Sequence, residues 1–323
     1  MNLRSLIFLL LLPCMIACNV LKTTYHATGR NLDAFFSSPE KVAKKIKNPI
    51  REDARLGVLW IGHATCLIQI DDKFILTDPN LKQTVGQFSK RLTEPGLDPQ
   101  NIPDLDIVLI SHMHIDHLSL GSLDLIESKI AHLLVPQQGL VYIPNYGFAM
   151  SELATWRHWE EDGLKVTAVP AIHNSWRYGL DDAWMKLSYT GYIIQYNGIT
   201  VYFAGDTAYR RDVFSQIKQK FSRIDLALVP IAPINPREYS QARHTDPAEA
   251  VQIYNDLNSR YLIPIHYGTF SESLDQPGEA VQTMRQVMDV NNLDSSQVHI
   301  LGIGEQKIFI SGDKRWAKSR EVN

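Results

Sequence analysis

The segment Ser111-His112-Met113-His114-Ile115-Asp116-His117 constrains this chain more than any other. Three imidazoles and a carboxylate follow Leu105 to Ile110, an apolar run that reads as a buried strand. A strand ending this way delivers polar side chains to a sheet edge, where ligands bind in α/β folds. His112 and His114 are two apart, so in extended chain they face one side and can grip one metal. Asp116 and His117 are adjacent and must diverge, which suits a second metal beside the first. Isolated His-x-His pairs are common on surfaces. The full His-x-His-x-Asp-His pattern is specific, and its competitor is a hydrogen-bonded loop.

The 323 residues suit one large domain or two small ones, and 45% hydrophobic content can fill a sizeable core. Lys plus Arg (32) nearly balances Asp plus Glu (35), so nothing argues for nucleic acid as a partner. The N-terminus is distinct. Arg4 precedes an almost unbroken apolar run, Leu6 to Met15, too short to span a bilayer and shaped like a secretory signal. Met15-Ile16-Ala17-Cys18 resembles a bacterial lipobox, with Met15 in place of the usual Leu. The implied events are removal of residues 1–17 and lipid attachment to Cys18. Residues 18–54 then form a tether, and Asn19, not Asp, favours the outer membrane, facing the periplasm. An ordinary cleaved signal or an uncleaved anchor is the alternative. Cys14 would leave with the signal, so Cys66 would stand alone as a small core residue, with no internal disulfide. Lys41, Lys44, Lys45 and Lys47 read as one helix, either a solvated face or a contact with anionic lipid.

From residue 55 to 312 no composition break divides the chain, and it reads as one domain followed by a tail, 313–323. Strand-like runs recur: 58–61, 66–70, 73–77, 107–110, 133–135, 165–171, 189–195, 200–204, 226–229, 261–265 and 298–301. Asn197-Gly198 marks a two-residue hairpin. Asp246-Pro247-Ala248-Glu249 marks a helix start, with Asp as N-cap, Pro first and Glu third.

A two-metal site needs more donors, and strand ends supply them. His173 follows Val169-Pro170-Ala171-Ile172, Asp206 follows Tyr202-Phe203-Ala204-Gly205, and His266 follows Leu262-Ile263-Pro264-Ile265. With these seven side chains the sequence resembles the metallo-β-lactamase fold superfamily. More narrowly it is similar to the N-acylphosphatidylethanolamine-hydrolysing phospholipase D group and its bacterial relatives. Trp60-Ile61-Gly62-His63-Ala64-Thr65, Leu76-Thr77-Asp78-Pro79, Phe203-Ala204-Gly205-Asp206-Thr207, His244-Thr245-Asp246-Pro247 and Ile265-His266-Tyr267-Gly268-Thr269-Phe270 carry that likeness, which spans roughly 55–305. Residues 187–192 follow the family pattern only loosely, and the N-terminal portion differs.

The resemblance implies an α/β fold, a four-layer αββα sandwich with the site at one edge of paired sheets. It implies two zinc ions: His112, His114 and His173 on the first, Asp116, His117 and His266 on the second, and Asp206 bridging. Imidazole and carboxylate donors leave iron and manganese open. A shared hydroxide would attack phosphorus or carbonyl, with Asp116 also handling the proton. His244, beside a helix N-terminus, would contact an anionic substrate group; otherwise it is a surface loop histidine. His63 and Asp78 would orient ligands. Trp176, Arg177, Tyr178 and Trp184 either line a pocket or pack as buried aromatics. Thr207 and Tyr209 stay undecided. The expected function is a phospholipase D-like phosphodiesterase on a phospholipid-like substrate. The alternatives are a lactonase or other carbonyl hydrolase, or a non-enzymatic envelope protein. Neither a Gly-x-Ser-x-Gly elbow nor a P-loop occurs, so a covalent serine route lacks support.

Overall fold

The computed structural model describes residues 36–86, 89–179, 181, 185–271 and 273–312. The signal, the Cys18 lipobox, the 313–323 tail and Trp184 lie outside the described residues. Two sheets dominate. The first has the order β15-β1-β2-β3-β6-β7-β8, built from β1 (Ala54–Gly62), β2 (Thr65–Ile70), β3 (Lys73–Thr77), β6 (Leu105–Leu109), β7 (Ile130–Pro136), β8 (Ala149–Leu153) and β15 (Gln306–Ser311). The second runs β14-β13-β12-β11-β10-β9, from β9 (His158–Glu161), β10 (Leu164–Val169), β11 (Gly191–Tyr196), β12 (Ile199–Phe203), β13 (Ile224–Pro230) and β14 (Ser259–Ile265). A small ribbon pairs β4 (Thr84–Val85) with β5 (Ser89–Lys90).

The pleat explains the layering. Along β1, Leu56, Val58 and Trp60 join the core between the sheets, while Leu59 and Ile61 join a second core on the opposite face. That outer face is covered by α1 (Leu120–Ile126), whose Leu123 and Ile126 pack into it. The far face of the second sheet is covered by α2 (Arg211–Lys220), α4 (Pro247–Leu257) and α5 (Glu279–Val290). The short α3 (Arg237–Ser240) precedes α4. The result is helix, sheet, sheet, helix, the four-layer sandwich expected.

Local signals act as their chemistry demands. Asn197 and Gly198 both take positive φ (47° and 77°), closing the β11–β12 hairpin. Asp246 and Glu249 form a reciprocal capping box at the start of α4. Cys66 is fully buried between the sheets. Three expectations need correction. Val298–Leu301 forms no strand, only a bridge from Val298 to Leu262; the strand in this region is β15. The polar edge strands β8 and β9 were not anticipated, because their burial alternation is too weak to read. Residues 41–47 form turns instead of a helix. Lys45 there is half-buried and pairs with Glu94 (3.2 Å) and Asp98 (2.8 Å), while Lys41, Lys44 and Lys47 are exposed. Among the described residues no helix is long and apolar enough to cross a membrane.

Candidate metal centre

Parallel strands in each sheet end on the same side, and their C-terminal ends meet there. The chain leaves β6 into Ser111–His117, where Thr190 N donates to Ser111 O (2.9 Å) and Tyr192 Oη to Ile110 O (2.8 Å), joining the two sheets. Asp206 leaves β12 through Gly205, whose φ is +59°. A Cβ on Gly205 would lie 2.3 Å from Ser111 Cβ, so only glycine lets these segments approach. His266 follows β14 directly, with φ 65°, and its N–H donates to the carbonyl of His63 (3.0 Å), itself at φ 55°. Asp78, after β3, takes φ 35°. Three bulky or polar residues in left-handed backbone at one site is a pattern of functional centres.

All seven expected donors converge. His112 Nε2 lies 2.8 Å from His114 Nδ1, which lies 3.3 Å from His173 Nε2. His117 Nε2 lies 3.3 Å from His266 Nε2 and 3.6 Å from Asp116 Oδ2. Asp206 spans both groups: Oδ2 is 3.8 Å from His173 Nε2 and 3.5 Å from His117 Nε2, and Oδ1 is 3.2 Å from His266 Nε2. His63 joins the second group, with Nε2 3.1 Å from Asp116 Oδ2. His244 Nδ1 sits 3.5 Å from Asp206 Oδ2, beside His173, so it faces the site.

The far sides of the rings are fixed. His117 Nδ1 donates to Asp78 Oδ2 (2.6 Å), and His173 Nδ1 to the carbonyl of Arg243 (2.9 Å). In the neutral ring those bonds leave Nε2 of each as the acceptor facing inward. Asp78 also accepts from the N–H and hydroxyl of Ser111 (2.7 and 2.6 Å). Among the described residues, His114 Nε2 is buried with no hydrogen-bond partner.

Electrostatics follow from burial and mutual proximity. Burial, then neighbouring imidazoles, hold His112 well below the ordinary histidine range. Burial brings His114 to about 4 and also lowers His173. Burial opposes charge on His117 too, but Asp206, Asp116 and Asp78 outweigh it and raise it to about 10. Burial alone would raise Asp206, yet His266 and His117 hold it well below the usual carboxylate range; His117 and His63 do the same for Asp116. Nitrogens of three neutral rings stand 2.8–3.3 Å apart; one ring N–H can bridge a pair, and the lone pairs left facing inward are free to bind a cation. Ligands about 2.0–2.1 Å from a tetrahedral zinc stand at roughly that separation. The residues therefore fit a metal, in groups of three or more donors.

Residues outside the donor set sort by contact. The Trp176 ring meets His114 edge-on (4.9 Å between centroids), and Arg177 Nη1 donates to the carbonyls of Met113 (3.2 Å) and Leu118 (2.8 Å), bracketing the histidine loop. Tyr178 is largely exposed. Thr207 accepts from Ile172 N (2.9 Å), linking the segment before His173 to the one after Asp206, and Tyr209 bonds Asp256. Asn80 and Arg91 were not singled out from sequence. Both are buried and donate to backbone carbonyls, contacts that leave no motif.

Comparison with known proteins comes to the same place. Residues 73–267 match the profile of the Beta-lactamase superfamily domain. The chain is 28% identical over 267 residues to an N-acyl-phosphatidylethanolamine-hydrolyzing phospholipase D of Caenorhabditis elegans, covering 78% of this chain and 74% of the relative. It is 32% identical over 226 residues to the mitochondrial protein of that name from Saccharomyces cerevisiae, covering 65% of this chain but only 47% of the yeast protein. It is 30% identical to a metal-dependent hydrolase of Thermococcus onnurineus, over 69% of this chain and 89% of that one. Among solved structures, the metallo hydrolase Igni18 of Ignicoccus hospitalis superposes with a TM-score of 0.58 at 22% identity, covering 80% of this chain and 98% of Igni18.

Proposed function

The chain belongs to the metallo-β-lactamase superfamily, and on that premise we infer that it is a metal-dependent hydrolase, and more narrowly a dinuclear zinc phosphodiesterase of phospholipase D type. The substrate class is an N-acylphosphatidylethanolamine-like phospholipid. The observation that carries this reading is the pair of donor groups sharing Asp206. In it, His112, His114 and His173 hold one cation, Asp116, His117 and His266 the other, and Asp206 lies between. Two bound cations would supply Lewis acidity and lower the pKa of a water toward neutrality.

The chain's own residues do the rest. Asp116 keeps 31% of its side chain exposed, so it faces the entering substrate and can take up a proton at Oδ2, the atom His63 steadies. His244, beside Asp206 and His173 and 20% exposed, can donate to a phosphoryl oxygen. The burial of His112, His117 and Asp206 away from solvent strengthens each polar interaction made there. Attachment at Cys18 would hold the enzyme at the outer membrane, against a lipid substrate.

The test is a substrate panel. Full-length protein loaded with zinc is offered N-acylphosphatidylethanolamine in mixed micelles, simple phosphodiesters and sugar lactones. Release of the N-acylethanolamine faster than lactone opening supports the reading. Faster lactone opening replaces it with a carbonyl hydrolase, and inertness toward all three favours a non-enzymatic role. Elemental analysis of protein isolated without added metal identifies the cation.

A further inference from the structure

We propose that Arg91 is a positioning residue for the second cation site, the one framed by Asp116, His117 and His266. The proposal rests on the two-cation reading above. Arg91 follows β5 and is 1% exposed, yet among the described residues no carboxylate pairs with it. A buried guanidinium without a counter-charge is costly, so its place needs a reason beyond filling space. Burial lowers its pKa to about 10, which still leaves it charged at neutral pH.

Its contacts reach each segment that frames that site. Nη2 donates to the carbonyl of Asn80 (2.7 Å) and Nε to that of Lys82 (3.2 Å). The Asn80 side chain in turn donates from Nδ2 to the carbonyl of Asp116 (2.9 Å). On its other side the guanidinium lies over the Phe270 ring, 5.2 Å from the centroid. That ring meets His63 edge-on at 5.1 Å, and His63 contacts Asp116. Nη1 stands 3.4 Å from where a Cβ on Gly62 would be, directly before His63. Among the described residues Nη1 has no hydrogen-bond partner. One planar cation thus ties the 80–82 loop, the 62–63 turn and the segment after His266 together. Among the described residues its contacts run to this site and not to His112, His114 or His173, so its influence should fall on one cation and not both.

The experiment uses full-length protein stripped of metal and titrated with zinc, and separately with cobalt followed by its visible absorption. The variants are Arg91→Lys and Arg91→Met, with Asn80→Ala alone and combined with Arg91→Lys. Lysine keeps the charge but cannot span two carbonyls and a ring face, so it should not restore wild-type binding. The expected result is an unchanged first equivalent and a second weakened ten- to a hundredfold, the range for outer partners of metal ligands. Asn80→Ala should give the same selective loss, and the double variant little beyond it. Should Arg91→Met fail to fold, the Lys and Asn80 variants still read the coupling. Equal weakening of both equivalents, or none, overturns the proposal while leaving the two-cation reading intact. Wild-type protein that binds fewer than two cations overturns both.

Discussion

Each imidazole here has two nitrogens, and the function depends on which one faces inward. His173 illustrates the control: the Arg243 carbonyl takes the proton of Nδ1, so Nε2 is the nitrogen left for a cation. Asp78 does the same for His117. His244 differs, since it approaches Asp206 from the loop before α4 and is more exposed than the other rings. That placement puts it within reach of both roles, since with His173 and Asp206 it also forms a group that could hold a cation, and a variant separates them. His244→Ala is expected to lower kcat by about a hundredfold, the scale of losing one donor to developing charge. Zinc content should stay at the wild-type level; parallel loss of zinc would instead make His244 a ligand or a structural residue.

At the scale of elements, strand ends and one helix start set the position of the site. His266 and Asp206 are presented because β14 and β12 stop where they do, and because Gly205 admits Ser111 at close range. The α4 capping box fixes the loop that carries His244, with Arg237 pairing to both Asp246 (3.4 Å) and Glu249. Asp246→Ala removes the cap, which typically costs about 1 kcal/mol. The expected fall in melting temperature is about 2 °C, by calorimetry. Activity should fall more than stability implies, because His244 sits two residues before the cap. A melting shift with unchanged kcat would detach the loop from the chemistry.

Across the whole molecule, two sheets meet at one edge through a cluster of buried imidazoles and carboxylates that a cation would hold together. Binding to the native state alone stabilises it, so chelation should lower the melting temperature and zinc should restore it. The pH dependence of the stripped protein has a sign on each side. His114 titrates near 4 when folded, against about 6.5 unfolded, so stability is lost as pH falls from about 6.5 toward 4. His117 titrates near 10, so its contribution is full below about 6.5 and lost as pH rises toward 10. Metal-free protein should therefore be most stable near pH 6.5, read by melting temperature across a pH series. Zinc should abolish the alkaline decline, since a ligating His117 no longer holds that proton. An alkaline decline that persists with zinc would mean His117 stays protonated and is not a ligand.

Residue type and short-range spacing were enough to find the seven donors, the Asn197-Gly198 hairpin and the Asp246 cap. Each is decided by chemistry within a few residues: alternation along a strand, positive φ in a tight turn, a carboxylate satisfying helix N–H groups. The resemblance built on those residues extended the reading to the sandwich itself. Lys41–Lys47 misled because four lysines at helical spacing say nothing of Glu94 and Asp98, which lie about fifty residues on and bind Lys45. β8, β9 and β15 were missed because edge strands, only partly buried, owe their existence to a neighbour's unpaired backbone more than to their own pattern. The entry of His63 into the second donor group, the turn of His244 toward Asp206 and the seat of Arg91 were decided only by tertiary structure. All three depend on strands far apart in sequence ending side by side, and long-range contacts of that kind are energetic facts of the folded chain that leave no local trace.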